Sequence, residues 1–492
     1  MSADWLTQLL SQPSRALWAL ILLQIFCWTL APALSHSAPP LDVVEMYAWG
    51  REWVVATFKH PNLPGLVLEP TRILTGQTGW PAYLVSQLFI AVTLWAVFAL
   101  GRELMDAPRA LAGALLLTGI YFFGWVTPEF NHNVAQMPLW ALVMLMLWRA
   151  VERDHWRDWL LLGVFAGLGL WAKYSSAILL AVAGVWMLWD ARARSRLLGI
   201  GPWLTILSGA AVVAPQALWL VQNDFAPFAY AARRAEGAWY APIEFLLVLA
   251  LDHLPMLIVL VAAGMFGKRI ADAPAPPEQR GLRYLLLMGL GPALLTAAAA
   301  LLSGAGLRSS WGAPMVVLSG LIAVALLSAK FGAARLKRIA IGAVVLVVGV
   351  SSLYFAHMAY GARLTGHPLR GNWPQAALSR ALERAWASET NDAPLRVVAS
   401  DIWTAGLVAM DDRDPPSVLI NGDISISPWL SEDEIARCGA LVVWPADDEP
   451  AEALQTLVQG RHGGTVTLPF SRAPNAPPLT MRYVIVAPQA DC

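Results

Sequence analysis

The sequence predicts a polytopic α-helical membrane protein, with about eleven transmembrane helices and a small extracytoplasmic α/β domain at its C-terminal end. Three observations carry this. Hydrophobic residues make up 57% of the 492 positions and charged residues only 14%, whereas a soluble domain carries about 25% charged residues. Eleven apolar runs lie near 16–34, 81–101, 110–127, 134–150, 158–172, 175–190, 201–221, 242–266, 284–303, 313–329 and 339–356, each close to the ~20 residues that a crossing needs. Beyond residue 357 the pattern changes to short β-rich runs alternating with helical ones, the signature of a layered α/β domain.

The first run is read as an uncleaved span and not as a signal peptide, because ten more follow it. Placing the N-terminus in the cytoplasm puts seventeen Lys and Arg on the cytoplasmic side and seven on the outer side before residue 357, as the positive-inside rule requires. An odd number of spans then divides the chain into a transmembrane module, 1–356, and an extracytoplasmic domain, 357–492. The tail strands are expected at RVVAS, SVLI, ALVVW, TVTL and RYVIVA, and the helices at QAALSRALERAWAS, EDEIARC and PAEALQTLVQ. The 24 Trp suit a chain that meets membrane interfaces. Net charge is zero and basic residues are dispersed, so nucleic acid is excluded as a partner. Cys438 and Cys492 either pair as a disulfide or stay free thiols, and spacing does not choose between them.

The chemistry concentrates in the outer loops. The first, roughly 35–80, opens with the amphipathic stretch DVVEMYAWGREWVVATF, which is expected to lie along the membrane surface. Asp42 and Glu45 are three apart and share a helix face, where a carboxylate can take a proton from an acceptor hydroxyl. The plainer alternative is that Asp42 caps a helix beginning at Val43. In KHPNLPG, Lys59 stands before a Pro-rich turn and can set an ammonium against a lipid phosphate, or it snorkels to the interface.

The second outer loop, TPEFNHNVAQMP, crowds Glu129, Asn131, His132 and Asn133 between two spans; these groups cap helices or line a polar cavity. Lys173 and Tyr174 end the fifth span in LWAKYSS. With Lys59, Arg233 and Arg234 they suggest a cationic pocket for a phosphate leaving group. Asp252 and His253 fall inside the eighth run, a depth at which ionisable residues are functional candidates. Neither zinc spacing nor a Walker or dinucleotide loop is present. No metal site is therefore predicted, and a divalent cation has no ligand spacing to support it.

In order, LDVVEMYAWG, FKHPNLPG, EFNHN and AKYSS resemble bacterial family 39 glycosyltransferases. These are relatives of protein O-mannosyltransferases and of the enzymes that add aminoarabinose or galacturonic acid to lipid A. The resemblance implies a GT-C fold with surface helices in the first outer loop, no organic cofactor and a polyprenyl-phosphate sugar as donor. It matches Asp42 to the family's general base and Glu45 to the second acid of the motif. Lys59 and Lys173 match phosphate-contacting positions, with His60, Tyr174, Arg233 and Arg234 counted beside them. Glu129, Asn131, His132 and Asn133 are assigned to the sugar or acceptor. Three departures bear on the substrate: Val43 follows Asp42 where many relatives have a second acid, Asn62 follows Pro61 where many have a second proline, and Glu129 stands where many have Asp.

The expected activity is transfer of one sugar, with inversion, from the lipid-linked donor to a hydroxyl of an envelope lipid, glycan or protein. A transporter or flippase of lipid-linked sugars is the rival reading. It lacks an internal repeat in the sequence, and the charges gather at one face.

Overall fold

Without water to bind, backbone groups in an apolar run must satisfy one another, so such runs fold as helices. The computed structural model describes residues 3–233, 237–268, 278–410, 414–489 and 492. Among these, seven helices are long and apolar enough to cross a membrane: Pro13–Ser35, Trp80–Leu104, His132–Arg153, Gly201–Gln222, Ala241–Ala262, Gln279–Ser303 and Ala333–Thr365. The run near 313–329 is a pair, Ser309–Val316 and Ser319–Leu326, bent by 55°, and it makes an eighth if both parts cross as one. The remaining three runs are shorter or broken. Ala107–Leu116 gives way to single turns at Leu117–Gly119 and Tyr121–Phe123, and the other two are Trp156–Ala172 and Ser176–Trp189.

The eighth run breaks where the sequence puts its two ionisable residues, between Ala241–Leu251 and Leu254–Ala262. His253 is consumed by the break: Nδ1 donates to the Leu249 carbonyl at 2.6 Å, and Nε2 accepts from the Ser319 hydroxyl at 2.8 Å. Its role here is structural.

The described residues pack as two compact units, one of 1–29, 58–63 and 84–352 and the other of 30–57, 64–83 and 353–492. In the first, His132–Arg153 is the central helix, 94% of its apolar window being buried, whereas Gly201–Gln222 is a peripheral one at 6%. Trp156–Ala172 lies against that peripheral helix through glycines. A Cβ on Gly163 would stand 2.2 Å from the Thr205 carbonyl oxygen, and one on Gly167 would stand 2.8 Å from Val212. Small residues of this kind let membrane helices approach closely. The helix ends with Lys173 as its C-terminal cap residue.

The second unit is built on a five-stranded sheet of order β2-β1-β3-β5-β4. The strands are β1 (Val397–Ser400), β2 (Ser417–Ile420), β3 (Ala440–Pro445), β4 (Gly463–Leu468) and β5 (Leu479–Val486). Each falls on a run expected from the sequence. β1 pairs in parallel with β2 and β3, while β5 is antiparallel to β3 and β4. All four residues of β1 are buried, as a parallel strand covered on both faces requires. Cys438 and Cys492 are paired, their Cα atoms 5.2 Å apart.

The same unit holds most of the first outer loop (58–63 belongs to the first unit), as the helix Leu41–Gly50 and all but the first residue of the helix Leu63–Thr75. Asp42 is not the cap of the first: the helix starts at Leu41 after Pro40, leaving Asp42 inside its first turn. This helix is seated on Ile402–Val408 of the sheet domain, where Val44 fills the space a Gly406 side chain would need, 2.4 Å from the Cβ position. Arg51, just past its end, donates to the carbonyls of Ala409, at 3.2 Å, and Pro416. Burial is the largest influence on that guanidinium and lowers its pKa to about 10, although Glu52 and Glu69 oppose the shift.

Two predictions follow from this unit. Gly406→Leu overpacks against Val44 and costs about 1–3 kcal/mol, read as a lower melting temperature of the purified protein; Val44→Ala in the same chain restores part of the loss. His36 sits between two phenols, with Nδ1 2.8 Å from the Tyr83 hydroxyl and Nε2 2.8 Å from that of Tyr354. Burial, then the charge of Arg472, lowers its pKa to about 4. Between that value and the usual ~6.5 the unfolded chain binds a proton that the folded chain does not, so stability is full above pH 7 and falls toward pH 4. Melting temperature measured from pH 7.5 to 4.5 therefore drops, and His36→Gln flattens the drop.

Candidate active site

A buried lysine needs a partner for its ammonium, and Lys173 is only 9% exposed. It follows Trp156–Ala172, where the chain leaves the helix in an extended conformation, and its Nζ donates to Asn133 Oδ1 at 2.8 Å. The same ammonium lies over the Trp311 ring, 5.1 Å from its centroid. Asn133 is available because Asn131, not Asn133, caps the central helix: Asn131 Oδ1 accepts from the backbone N–H groups of Asn133, at 2.9 Å, and Val134, at 3.1 Å. His132 is also engaged, its Nε2–H donating to the Pro61 carbonyl at 2.9 Å. Gln136, one turn on, donates to the hydroxyls of Ser175 and Ser176 at 3.2 and 2.8 Å. Three segments, 59–62, 131–136 and 173–176, are thus tied at one end of the first unit.

The imidazoles of His60 and His132 are 4.4 Å apart. Burial above all, then the positive charges of His132, Lys173 and Lys59, holds His60 well below the usual histidine range. At neutral pH it is an uncharged neighbour of the two ammonium groups. The structure therefore brings Lys59, His60, His132, Asn133 and Lys173 together.

An aromatic cover closes part of this group. Helix Ala226–Arg233 stacks Phe228 on Tyr174, with centroids 5.2 Å apart, and sets Tyr230 edge-on to Phe58 at 5.4 Å. The Tyr174 hydroxyl is buried with no hydrogen-bond partner among the described residues. Burial raises its pKa to about 12, so it remains an O–H donor. A buried donor without an acceptor costs about 1–3 kcal/mol, a penalty that a bound oxygen would remove. The sequence reading missed Phe58, Phe228 and Tyr230; the aromatic residues crowded in QNDFAPFAY were the available signal.

The other expected residues stand as follows. Arg233 ends the covering helix and is exposed, and Arg234 lies outside the described residues. Glu129 is half-buried in the loop before Asn131, its N–H bonded to the Val126 carbonyl. Asp42 and Glu45 belong to the second unit. They occupy one face of Leu41–Gly50, with Asp42 half-buried in the first turn and Glu45 only 4% exposed. Chemically, the first unit offers two ammonium groups and a phenol donor to an anion, and the second offers a carboxylate as base.

Comparison with known proteins bears on the fold and the kind of enzyme. Residues 59–219 match the family model for dolichyl-phosphate-mannose-protein mannosyltransferase. The lipopolysaccharide core galacturonosyltransferase RgtB of Rhizobium johnstonii is 27% identical over 438 residues, covering 86% of this chain and 85% of the relative. The undecaprenyl phosphate-alpha-4-amino-4-deoxy-L-arabinose arabinosyl transferase 1 of Pseudomonas fluorescens is 29% identical over 199 residues, 36% of this chain and 34% of the relative. The crystal structure of ArnT from Cupriavidus metallidurans bound to undecaprenyl phosphate shares the fold, with a TM-score of 0.67 over 95% of this chain and 97% of that one at 12% identity. The chain is a multi-pass membrane glycosyltransferase with an ArnT-like GT-C fold.

Proposed function

We propose that the protein transfers a single sugar from a polyprenyl-phosphate donor to a hydroxyl of an envelope lipid or glycan outside the cytoplasm, with inversion at the anomeric carbon. The observation that carries the reading is the basic group at Lys59 and Lys173, followed in the chain by Tyr174, whose buried hydroxyl lacks a partner among the described residues. Such a group suits the phosphate of a lipid-linked sugar. Among acceptors, a lipopolysaccharide core is favoured, because the galacturonosyltransferase relative covers most of both chains.

Asp42 takes the proton of the acceptor hydroxyl, with Glu45 as the second acid of the pair. The acceptor oxygen attacks the anomeric carbon opposite the phosphate, and the carbon–oxygen bond to phosphate breaks through an oxocarbenium-like transition state. Lys59 and Lys173 meet the charge that develops on the departing phosphate, and Tyr174 donates to one of its oxygens. His60 and His132 hold the segment before Pro61 in place, while Glu129 and Asn133 are assigned to the sugar or acceptor. The Cys438–Cys492 pair supports an extracytoplasmic C-terminal domain, since structural disulfides persist in oxidising compartments. The Lys/Arg bias supports a cytoplasmic N-terminus.

The test is transfer of radiolabelled sugar from polyprenyl-phosphate donors to extracted envelope lipids and glycans, in membranes holding equal amounts of each variant. Asp42→Asn is expected to lose about 10²–10⁴-fold in rate, the usual share of a general base. Lys59→Ala and Lys173→Ala are each expected to lose about 10²–10³-fold, the range of one donor to a developing negative charge. Full activity in folded Asp42→Asn overturns the base assignment.

Tyr174→Phe separates binding from folding. Removing a hydroxyl without a partner leaves the melting temperature unchanged or higher, while the donor KM rises several-fold. A lower melting temperature with an unchanged KM shows that the phenol serves only the fold.

A further inference from the structure

The central helix carries the basic group at its His132 end. Arg149, near its other end, lies about 25 Å away at 1.5 Å per residue, and there the first unit has a cleft of about 380 Å³. Leu17, Trp18, Trp95, Phe98 and Ala99 form its apolar wall; Ser14, Arg102, Glu103 and Arg149 form its polar rim.

The charges on the rim do not cancel. Glu103 is the acid of the rim, and Arg149 holds it at 2.9 Å while Arg153 from the same helix holds it as well. Arg102 has no hydrogen-bond or ion-pair partner among the described residues. Ser14 lies in the first turn of Pro13–Ser35, where the helix dipole favours a negative charge. Trp18 and Trp95 are 49% and 37% exposed beside these charges, the position that indoles take at headgroup depth. An apolar wall, a surplus positive charge and two interfacial indoles together match a phosphate that carries acyl chains.

We propose that this cleft binds an anionic phospholipid, with the headgroup phosphate on Arg102 and Ser14 and an acyl chain along Leu17, Trp95 and Phe98. The site lies at the opposite end of the central helix from Lys173 and does not depend on the catalytic assignment.

The full-length protein is exchanged into phosphatidylcholine nanodiscs with increasing phosphatidylglycerol, and retained lipids are counted by native mass spectrometry alongside the melting temperature. Wild type is expected to retain one phosphatidylglycerol per chain and to melt higher as its fraction rises. Arg102→Gln, which breaks no hydrogen bond or ion pair among the described residues, is expected to melt like wild type in pure phosphatidylcholine and to bind phosphatidylglycerol at least fivefold more weakly. Trp95→Leu is expected to weaken it as well. Equal retention by wild type and Arg102→Gln overturns the proposal, as does retention lost in Lys173→Ala instead. Inorganic phosphate displacing the lipid would show a free-anion site, and preferential uptake of polyprenyl phosphate would show a second donor-lipid site. Either result overturns the phospholipid assignment.

Discussion

The hydrogen bond from Lys173 to Asn133 is the interaction on which the rest of the basic group depends. An ammonium this far from water is tolerated only with a partner, and that partner stands one residue past the amino-terminal end of the most buried helix. Because Asn131 caps the same helix and His132 reaches Pro61, the compensation for one charge orders the Lys59–Asn62 segment too. A cationic site for lipid phosphate at the rim of a membrane bundle has to resist collapse when empty, since like charges repel. Lys173 is met by a neutral amide, and the two imidazoles beside it are uncharged at neutral pH.

Much of this was legible in the sequence, for identifiable reasons. The strands were readable because alternation and β-branched runs such as SVLI and RYVIVA recur between turn residues. Asp252 and His253 stood out as ionisable residues in an apolar run, but residue type alone did not tell a helix break from a functional pair. Lys59, Lys173 and the EFNHN loop were recognisable by residue type and order. Other features were not readable. Arg51 bonds to carbonyls more than 350 residues away, and the fit of Val44 over Gly406 is a matter of three-dimensional shape that no local pattern encodes. The disulfide could not be decided from spacing, because a 54-residue separation says nothing of proximity. Asp42 illustrates a smaller ambiguity, since a favoured capping residue and a first-turn acid differ by one position in where the helix begins.

The two compact units divide the proposed labour. The membrane-spanning unit supplies the groups that meet an anion, and these rest on helices whose positions are set by glycine-mediated packing. The other unit supplies the carboxylates, on a short helix seated against the sheet domain. A tail that looks like an appended domain therefore serves as the foundation of a loop that precedes it by hundreds of residues.

This has a consequence for swapping parts between related enzymes. A chimera that exchanges only the chain beyond residue 353 would set a foreign surface beneath Val44 and Arg51, leaving the acid-bearing helix without its matched seat. The unit that can be transplanted is discontinuous, made of 30–57, 64–83 and 353–492. A donor of new acceptor preference would have to contribute all three pieces.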